Sequence, residues 1–133
     1  MNTTAIISSG FEENPEYIDH IREYIPVISN NAETICVTKN PKSLMKILND
    51  ENIRFPHTIF DRNELFSSKK YLVKKIGGTG GDHIIYESSQ SNINVSSNNN
   101  FYYQEYIKGK VYSVVFLANG KTANLIGFNR LLS

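Results

Sequence analysis

The sequence lacks several features that would assign it to a class at once. It has no tryptophan and a single cysteine, Cys36, so an internal disulfide is excluded. Its three histidines, His20, His57 and His83, lack the spacing of metal ligands. No apolar run approaches the ~20 residues that a membrane span needs, and no basic residues open the chain as they do in a signal peptide. We therefore expect a cytoplasmic protein that is not embedded in a membrane.

A dominant charge of one sign is also lacking. Fourteen lysines and arginines stand against thirteen aspartates and glutamates, which gives a net charge of +1. Proteins that bind nucleic acids neutralise phosphates with clustered positive charge, so this balance argues against nucleic acid as a partner. Hydrophobic residues make up 40% of the 133 positions, which is enough to bury a core, and we expect a folded chain.

The first half of the chain alternates strand and helix signals. After a β-prone run near the N-terminus, Asn14 and Pro15 predict a helix start with Asn14 as the N-cap. Residues 27–29 are typical of a second strand, and Asn40 with Pro41 repeats the helix start signal. The apolar stripe of that second helix consists of Leu44, Ile47 and Leu48. This order of elements predicts a parallel α/β layer.

The second half consists of short β-type runs. They cover residues 71–76, 83–86, 101–107, 111–117 and 124–128. Ten of the thirteen residues from 88 to 100 are serine or asparagine, which predicts a loop. Asn119 and Gly120 predict a hairpin turn before the last run. The change in composition near residues 55–61 indicates a boundary between an α/β part and an antiparallel part.

Four of the eight glycines fall within five residues, directly after two lysines. The cluster consists of Gly77, Gly78, Gly80 and Gly81 around Thr79, a segment that we call the glycine loop, and the lysines are Lys74 and Lys75. Glycines let backbone N–H groups converge on an anion, and a lysine on the adjoining strand adds positive charge. A flexible hairpin and a phosphate-binding flap are both open interpretations. The pattern is neither a Walker loop nor a dinucleotide fingerprint, because no Gly-Lys-Ser/Thr follows and no helix begins at Gly81.

A second segment, residues 103–109, ends one predicted strand and precedes another with the order Tyr-Gln-Glu-Tyr-Ile-Lys-Gly. A short extended hinge of this kind can hold an adenine through backbone groups, with apolar side chains on the ring faces. Taken alone, the segment is more typical of an ordinary core strand. Because it follows a lysine strand and a glycine flap, it completes an ordered set that favours a nucleotide site.

In this order the segments resemble the ATP-grasp family of carboxylate–amine and carboxylate–thiol ligases. The resemblance rests on residues 71–84 (YLVKKIGGTGGDHI) and 101–120 (FYYQEYIKGKVYSVVFLANG), and it extends upstream over residues 9–21 and 29–58. The branch that it resembles most is that of predicted carboligases related to biotin carboxylase. Almost the whole chain is therefore covered.

The resemblance implies a mixed α+β fold in two parts. Residues 1–58 would be the end of a preceding α/β domain. Residues 59–133 would be a partial nucleotide-binding lobe, made of an antiparallel β flap, the hinge and the first strands of a second lobe.

An ATP site is the next implication of the resemblance. Lys74 would contact the α- and β-phosphates, and the glycine loop would cover the triphosphate. Gln104, Glu105 and Ile107 would form the adenine hinge, mostly through backbone groups. Two packing candidates beside the ring are Tyr106 and Ile76. The implied reaction activates a carboxylate as an acyl phosphate, which an amine or a thiol then attacks, and no catalytic residue is assigned.

One departure from the family concerns the metal. A complete member holds Mg²⁺ with acidic and amide side chains on strands beyond the hinge, but Glu105 is the last acidic residue here, so no metal ligand is assigned. A second phosphate-binding lysine of some relatives falls at Pro41, with Lys39 and Lys42 beside it. We expect an incomplete ligase that is inactive alone, either a split subunit that a second chain completes or a decayed remnant. We also expect the chain to associate with such a partner or with itself.

Two other classes of protein are alternatives. One is a non-catalytic interaction module whose β-rich half presents a sheet edge. The other is a binder of single-stranded nucleic acid that combines the lysines at 69, 70, 74 and 75 with the aromatic residues at 101–103. The balanced charge and the glycine loop disfavour the second alternative.

Overall fold

A computed structural model of the chain describes residues 3–8, 10–81, 84–87 and 100–131. Three α-helices lie in the first of its two halves, namely α1 (Glu16–Arg22), α2 (Ala32–Lys39) and α3 (Pro41–Asp50). The strands are β1 (Ala5–Ile6), β2 (Val27–Ile28), β3 (Thr58–Ile59), β4 (Tyr71–Lys75), β5 (Ile85–Tyr86), β6 (Phe101–Glu105), β7 (Tyr112–Ala118) and β8 (Ala123–Arg130). A 3₁₀ turn, Arg62–Glu64, follows β3. The expected mixed α+β class is confirmed. Within these ranges, each helix is too short or too polar to cross a membrane.

The first strands form the predicted parallel pair. Ala5 lies opposite Val27 and Ile6 opposite Ile28, and α1 makes the connection between the two strands. Parallel neighbours need such a crossover, because a tight turn reverses the chain direction. Ile18, on α1, is almost fully buried.

The start of α3 agrees with the sequence prediction. The side chain of Asn40 accepts hydrogen bonds from the backbone N–H groups of Lys42 and Ser43, and Pro41 occupies the first helical position. Both features satisfy or remove N–H groups that a helix start leaves without a partner.

The start of α1 differs from the prediction. The cap residue is Pro15, and Asn14 contributes only its backbone C=O, which accepts from Tyr17 N–H. The predicted side-chain cap by Asn14 is therefore wrong, because the helix begins one residue later than the Asn-Pro pair indicates. Helix α2 is a further difference: the sequence did not predict it, and Asn31 caps it by accepting from Thr34 N–H.

The second half is built around a four-stranded antiparallel sheet with the strand order β3-β6-β4-β5. Alternation along the strands gives this sheet two faces. One face forms the core, whose buried members are Ile59, Tyr71, Val73 and Tyr103. The opposite face carries more polar side chains, namely Thr58, Lys74, Tyr102 and Gln104. Strand β3 was not predicted from the sequence, whereas β4, β5 and β6 lie inside predicted runs.

The last two strands form a separate hairpin. β7 and β8 pair with each other in antiparallel fashion, with a bulge next to Val115 and Phe116. The predicted turn is confirmed: Asn119 Oδ1 accepts from Lys121 N–H and Thr122 N–H, and Gly120 has a φ of +83°. All residues of β7 are exposed. The predicted loop at 88–100 and His83 lie almost entirely outside the described residues.

Candidate functional site

The glycine loop leaves the end of β4 through a tight turn in which Gly78 N–H donates to Lys75 C=O over 3.2 Å. Gly77, Gly80 and Gly81 have φ angles of +75°, +76° and +91°. Residues with a Cβ rarely adopt this region, whereas glycine does so without strain. The loop backbone therefore requires glycine at three of its five positions.

A cavity of about 390 Å³ opens between this loop, α3 and the polar face of the four-stranded sheet. Its lining includes the whole glycine loop, three lysines (Lys39, Lys74 and Lys75), an apolar wall (Leu44, Met45, Leu48 and Phe55) and three residues of the sheet (Thr58, Tyr102 and Gln104). None of the described residues that line it is acidic. The cavity therefore combines an apolar wall with positive charge, and its size is that of a small-molecule site.

Lys74 is the most informative residue of the cavity. Its side chain projects from β4 onto the polar face of the sheet, where Nζ donates to Gln104 Oε1 over 2.7 Å. Burial lowers the pKa of the Lys74 ammonium group, because desolvation disfavours the charged form. Among the described residues, no carboxylate lies in salt-bridge contact with it to offset this cost. An anion bound in the cavity would provide the missing charge.

The amide of Gln104 links Lys74 to the neighbouring strand. Gln104 Nε2 donates to Thr58 Oγ1 over 3.2 Å, and Thr58 Oγ1 donates to the backbone C=O of Pro56 over 2.9 Å. The strand order brings these residues together, because β6 lies between β3 and β4. Lys74 is thereby held at the end of a row of hydrogen bonds.

The two other lysines of the cavity have acidic partners. Lys75 Nζ contacts Glu13 Oε1 over 2.6 Å, and Lys39 Nζ lies 3.8 Å from Glu12 Oε1. A second cavity, of about 370 Å³, is lined by residues of the segment 10–14, by Lys75 and by the first residues of the glycine loop. Lys75 and Lys39 are therefore partly neutralised, in contrast to Lys74.

The predicted hinge residues are placed differently from one another. Gln104 lines the cavity, whereas Glu105 and Ile107 do not. Glu105 N–H donates to His57 C=O, and its carboxylate accepts from Lys69 Nζ over 2.8 Å, a hydrogen bond that lowers the pKa of Glu105. Ile107 is 60% exposed. The structure thus brings Lys74, the glycine loop and Gln104 to one cavity and leaves two of the nine predicted residues outside it.

The two predicted packing candidates also lie away from the cavity lining. The ring of Tyr106 packs edge-on against Tyr86, with a centroid distance of 5.4 Å, and its backbone N–H donates to Lys70 C=O. Ile76 N–H donates to Asn100 C=O. Both residues thus make contacts at the ends of paired strands of the sheet, outside the cavity.

Sequence reasoning missed part of the cavity wall. The apolar stripe of α3 was predicted without a role in the site, and the structure places Leu44 and Leu48 in the cavity lining together with Met45. Tyr102 was considered only as an aromatic residue of the nucleic-acid alternative, although it lies two residues before Gln104, on the same face of β6. Burial raises the pKa of the Tyr102 hydroxyl. The alternation of β6 was the signal that could have identified it.

The fit of a divalent metal can be tested on the acidic residues. In the described part of the chain, no three histidine, cysteine, aspartate or glutamate side chains lie close enough together to hold a metal ion. The cavity lining offers ammonium groups, and Mg²⁺ prefers carboxylate and carbonyl oxygens. These residues do not fit a Mg²⁺ site.

The arrangement is suited to a ligand with an anionic end and an apolar end. A comparison with known families agrees with such a ligand: the family model described as an ATP-grasp domain matches residues 38–133, more than two thirds of the chain. No curated protein matches the chain.

Proposed function

Because the chain belongs to the family of ATP-grasp domains, we propose that its main cavity holds the triphosphate of ATP, under the glycine loop and against Lys74. Membership of the family implies nucleotide binding and an ATP-dependent, ligase-like function. The charges and the loop geometry of this chain support the placement of the phosphates.

The observation that carries the proposal is the incomplete compensation of Lys74. A half-buried ammonium group whose hydrogen-bond partner is a neutral amide is stabilised when an anion arrives. The N–H groups of a glycine loop are suited to the same anion, because they can converge on phosphate oxygens. Both features lie on one cavity, which supports a phosphate chain as the ligand.

The apolar wall suits the other end of the nucleotide. Leu44, Met45 and Leu48 of α3 line the cavity next to Phe55. Side chains of this kind pack on the faces of a purine ring. That Gln104, Glu105 and Ile107 form a hinge for the adenine stays a prediction.

The proposed reaction is carboxylate activation. A carboxylate oxygen of the substrate attacks the γ-phosphorus, a C(O)O–P bond forms, and the bond from the γ-phosphorus to the bridging oxygen breaks to release ADP. An amine or a thiol then attacks the acyl carbon, inorganic phosphate leaves, and the proton of the nucleophile passes to solvent. The contribution of this chain would be positioning and charge neutralisation by Lys74 and the backbone N–H groups of the loop.

The test is ATP binding to the whole chain, which calorimetry and backbone NMR shifts measure. We expect Lys74→Met to weaken ATP binding by about tenfold or more, because a charge-assisted contact to phosphate is lost. The matched control is Lys46→Met, since Lys46 is an exposed lysine on α3 that pairs with Asp50. ATP should shift amide signals of the glycine loop. Equal affinities of the two variants, or shifts that avoid the loop, would contradict the proposal.

We also propose that the hairpin of β7 and β8 associates with a second copy of the chain. Residues that face each other across an antiparallel pair lie on the same side of the sheet. One side therefore carries Tyr112, Val114, Phe116, Leu125 and Phe128, which we call the hairpin face. These side chains are between 48% and 69% exposed.

Self-association is favoured by the composition of the hairpin face. None of its five side chains is charged, and Arg130, on the same side of the hairpin, lies opposite Tyr112 at one end. Two copies therefore meet without opposing like charges at the centre. In a symmetric pair, burial of these five side chains on each copy would remove on the order of 1,200 Å² of surface from water. This area reaches the size of a specific interface. A patch of this extent on a lone chain marks an interaction site.

Sedimentation equilibrium at micromolar concentration tests the association. The wild-type chain should be a dimer, and Phe128→Asp should be a monomer, because the charge would be buried at the interface. Tyr24→Asp is the control, since Tyr24 is an aromatic residue of similar exposure outside the hairpin. A wild-type chain that stays monomeric at all concentrations contradicts the proposal. So does a Phe128→Asp variant that dimerises like the control.

A further inference from the structure

We infer that Thr58 is a positioning residue for the phosphate-binding ammonium group of Lys74, acting through the side-chain amide of Gln104. The inference rests on the proposed ATP site, since it concerns how that site is held in its binding geometry. Thr58 belongs to β3 and is 7% exposed. It lines the cavity but carries no charge of its own.

The two ends of the row set the direction of every hydrogen bond in it, because the Pro56 C=O can only accept and the Lys74 ammonium group can only donate. The backbone C=O of Pro56 can only accept, so the hydroxyl of Thr58 donates to it. The Thr58 oxygen is then free to accept, and Gln104 presents its NH₂ group to it. The carbonyl oxygen of Gln104 consequently faces Lys74 Nζ, which donates to it over 2.7 Å.

Without the hydroxyl of Thr58, the amide of Gln104 is held at one end only. The Lys74 ammonium group, which can only donate, still attracts Oε1, but the NH₂ group of Gln104 loses its acceptor Thr58 Oγ1. An amide fixed at one end samples more positions than an amide fixed at both ends, so the oxygen that Lys74 Nζ contacts is less well placed. Thr58 therefore keeps the amide, and with it the ammonium group of Lys74, in position.

The fixed amide also determines what Lys74 can still bind. An ammonium group has three N–H donors, and Gln104 takes one of them. The others remain for oxygens of a ligand in the cavity. Because Thr58 acts only through this group, its loss should affect the phosphate end of a nucleotide and spare the base and ribose.

The experiment compares ATP with adenosine on the full chain, by calorimetry or by NMR titration. Thr58→Val keeps the shape of the side chain and removes the hydroxyl, and Thr58→Ser keeps the hydroxyl. We expect Thr58→Val to weaken ATP binding about three- to tenfold, the size of one lost hydrogen bond, with adenosine binding changed less than about twofold. Thr58→Ser should restore ATP binding to within about twofold of the wild type. Thr122→Val, in the turn of the hairpin, controls for the general effect of replacing a threonine by a valine.

A second readout follows the amide directly. The side-chain NH₂ signals of Gln104 should move in Thr58→Val and stay in place in Thr58→Ser. Thr58→Ala serves as a second hydroxyl-free variant, and thermal melting establishes that each variant is folded. Unchanged ATP binding in both hydroxyl-free variants overturns the inference, and so does an equal loss for ATP and adenosine, which would indicate general damage to the cavity. A wild-type chain that binds neither ligand overturns the proposed ATP site itself, a result distinct from either of these.

Discussion

The four-stranded sheet and the hairpin are made from similar residues but are buried to very different degrees. β6 reads Phe-Tyr-Tyr-Gln-Glu and contributes Tyr103, which is 1% exposed, whereas β7 reads Tyr-Ser-Val-Val-Phe-Leu-Ala and is exposed throughout. The more apolar strand is thus the less covered one. β6 has a paired strand on each side, while β7 has a partner on one side alone among the described strands.

The difference shows that the burial of a strand depends on the elements that pack against it, and that the composition of the strand does not predict it. In the sheet, Leu65 and Phe101 pack against the buried cluster. The hairpin face is covered by nothing comparable in the described part of the chain. An isolated two-stranded hairpin is only marginally stable in water, which is why we propose that a second copy covers it.

The largest expected effect comes from the same substitution made in both regions. Val73→Ala should lower the free energy of unfolding by about 1.5–3 kcal/mol, because Val73 is 1% exposed in the core. Val115→Ala should change it by less than about 0.5 kcal/mol, because Val115 is 46% exposed and lies opposite Gly127, away from the hairpin face. Urea unfolding of the two variants measures the contrast. Similar losses at both positions would mean that the hairpin is covered in solution on its other side as well.

A smaller effect is expected from removing a buried hydroxyl. In the part of the chain that the structure describes, the Tyr103 hydroxyl is buried without a hydrogen-bond partner. Tyr103→Phe should therefore raise the free energy of unfolding by about 1 kcal/mol. At a concentration at which the chain is monomeric, Tyr112→Phe in the hairpin should leave it unchanged, since the Tyr112 side chain is then exposed to water. A destabilised Tyr103→Phe variant would show that the hydroxyl is hydrogen-bonded in solution.

The smallest expected effect concerns the charge that the sheet buries. Because burial lowers the pKa of Lys74 below its ordinary value of 10.5, the unfolded chain binds this proton more tightly than the folded chain does. The ammonium group thus reduces stability at neutral pH, and this cost fades as the pH rises from the lowered pKa towards 10.5. Lys74→Met should be more stable than the wild type at pH 7, by less than about 1 kcal/mol because the group is only partly buried.

The control for this effect is Lys121→Met, at the exposed turn of the hairpin, which should show no such gain. Thermal melting between pH 7 and pH 10.5 follows the difference between Lys74→Met and the wild type. A difference that widens with pH would contradict the assignment of the effect to the buried charge. A gain in stability combined with weaker ATP binding would indicate that Lys74 is retained for its ligand.

Features set by a few adjacent residues were predictable from the sequence. The cap of α3 depends on Asn40 and Pro41, and the hairpin turn depends on Asn119 and Gly120, all of which act within three residues along the chain. The glycine loop and Lys74 are also neighbours in sequence, so their place on one cavity could be anticipated.

Features that depend on distant partners were not predictable in the same way. Strand β3 has two residues and follows Pro56, and it is a strand only because it pairs with β6, more than forty residues later. The row from Pro56 through Thr58 and Gln104 to Lys74 joins three strands, so no local pattern contains it. The hinge role of Glu105, mostly through backbone groups, stays a prediction. The contact of its carboxylate with Lys69, thirty-six residues earlier in the chain, was not predicted.

The strand order β3-β6-β4-β5 has a consequence for the time at which the sheet can form. β6 is the last of these strands in the sequence, yet it lies between β3 and β4 and is the strand that pairs with both. During synthesis, which proceeds from the N-terminus, the apolar side chains of β3 and β4 are therefore made before the strand that joins them. Contacts over such sequence separations also form slowly. The core around Val73 therefore cannot be complete until β6 has been made, because a growing chain that has not yet reached Phe101 lacks the central strand of the sheet.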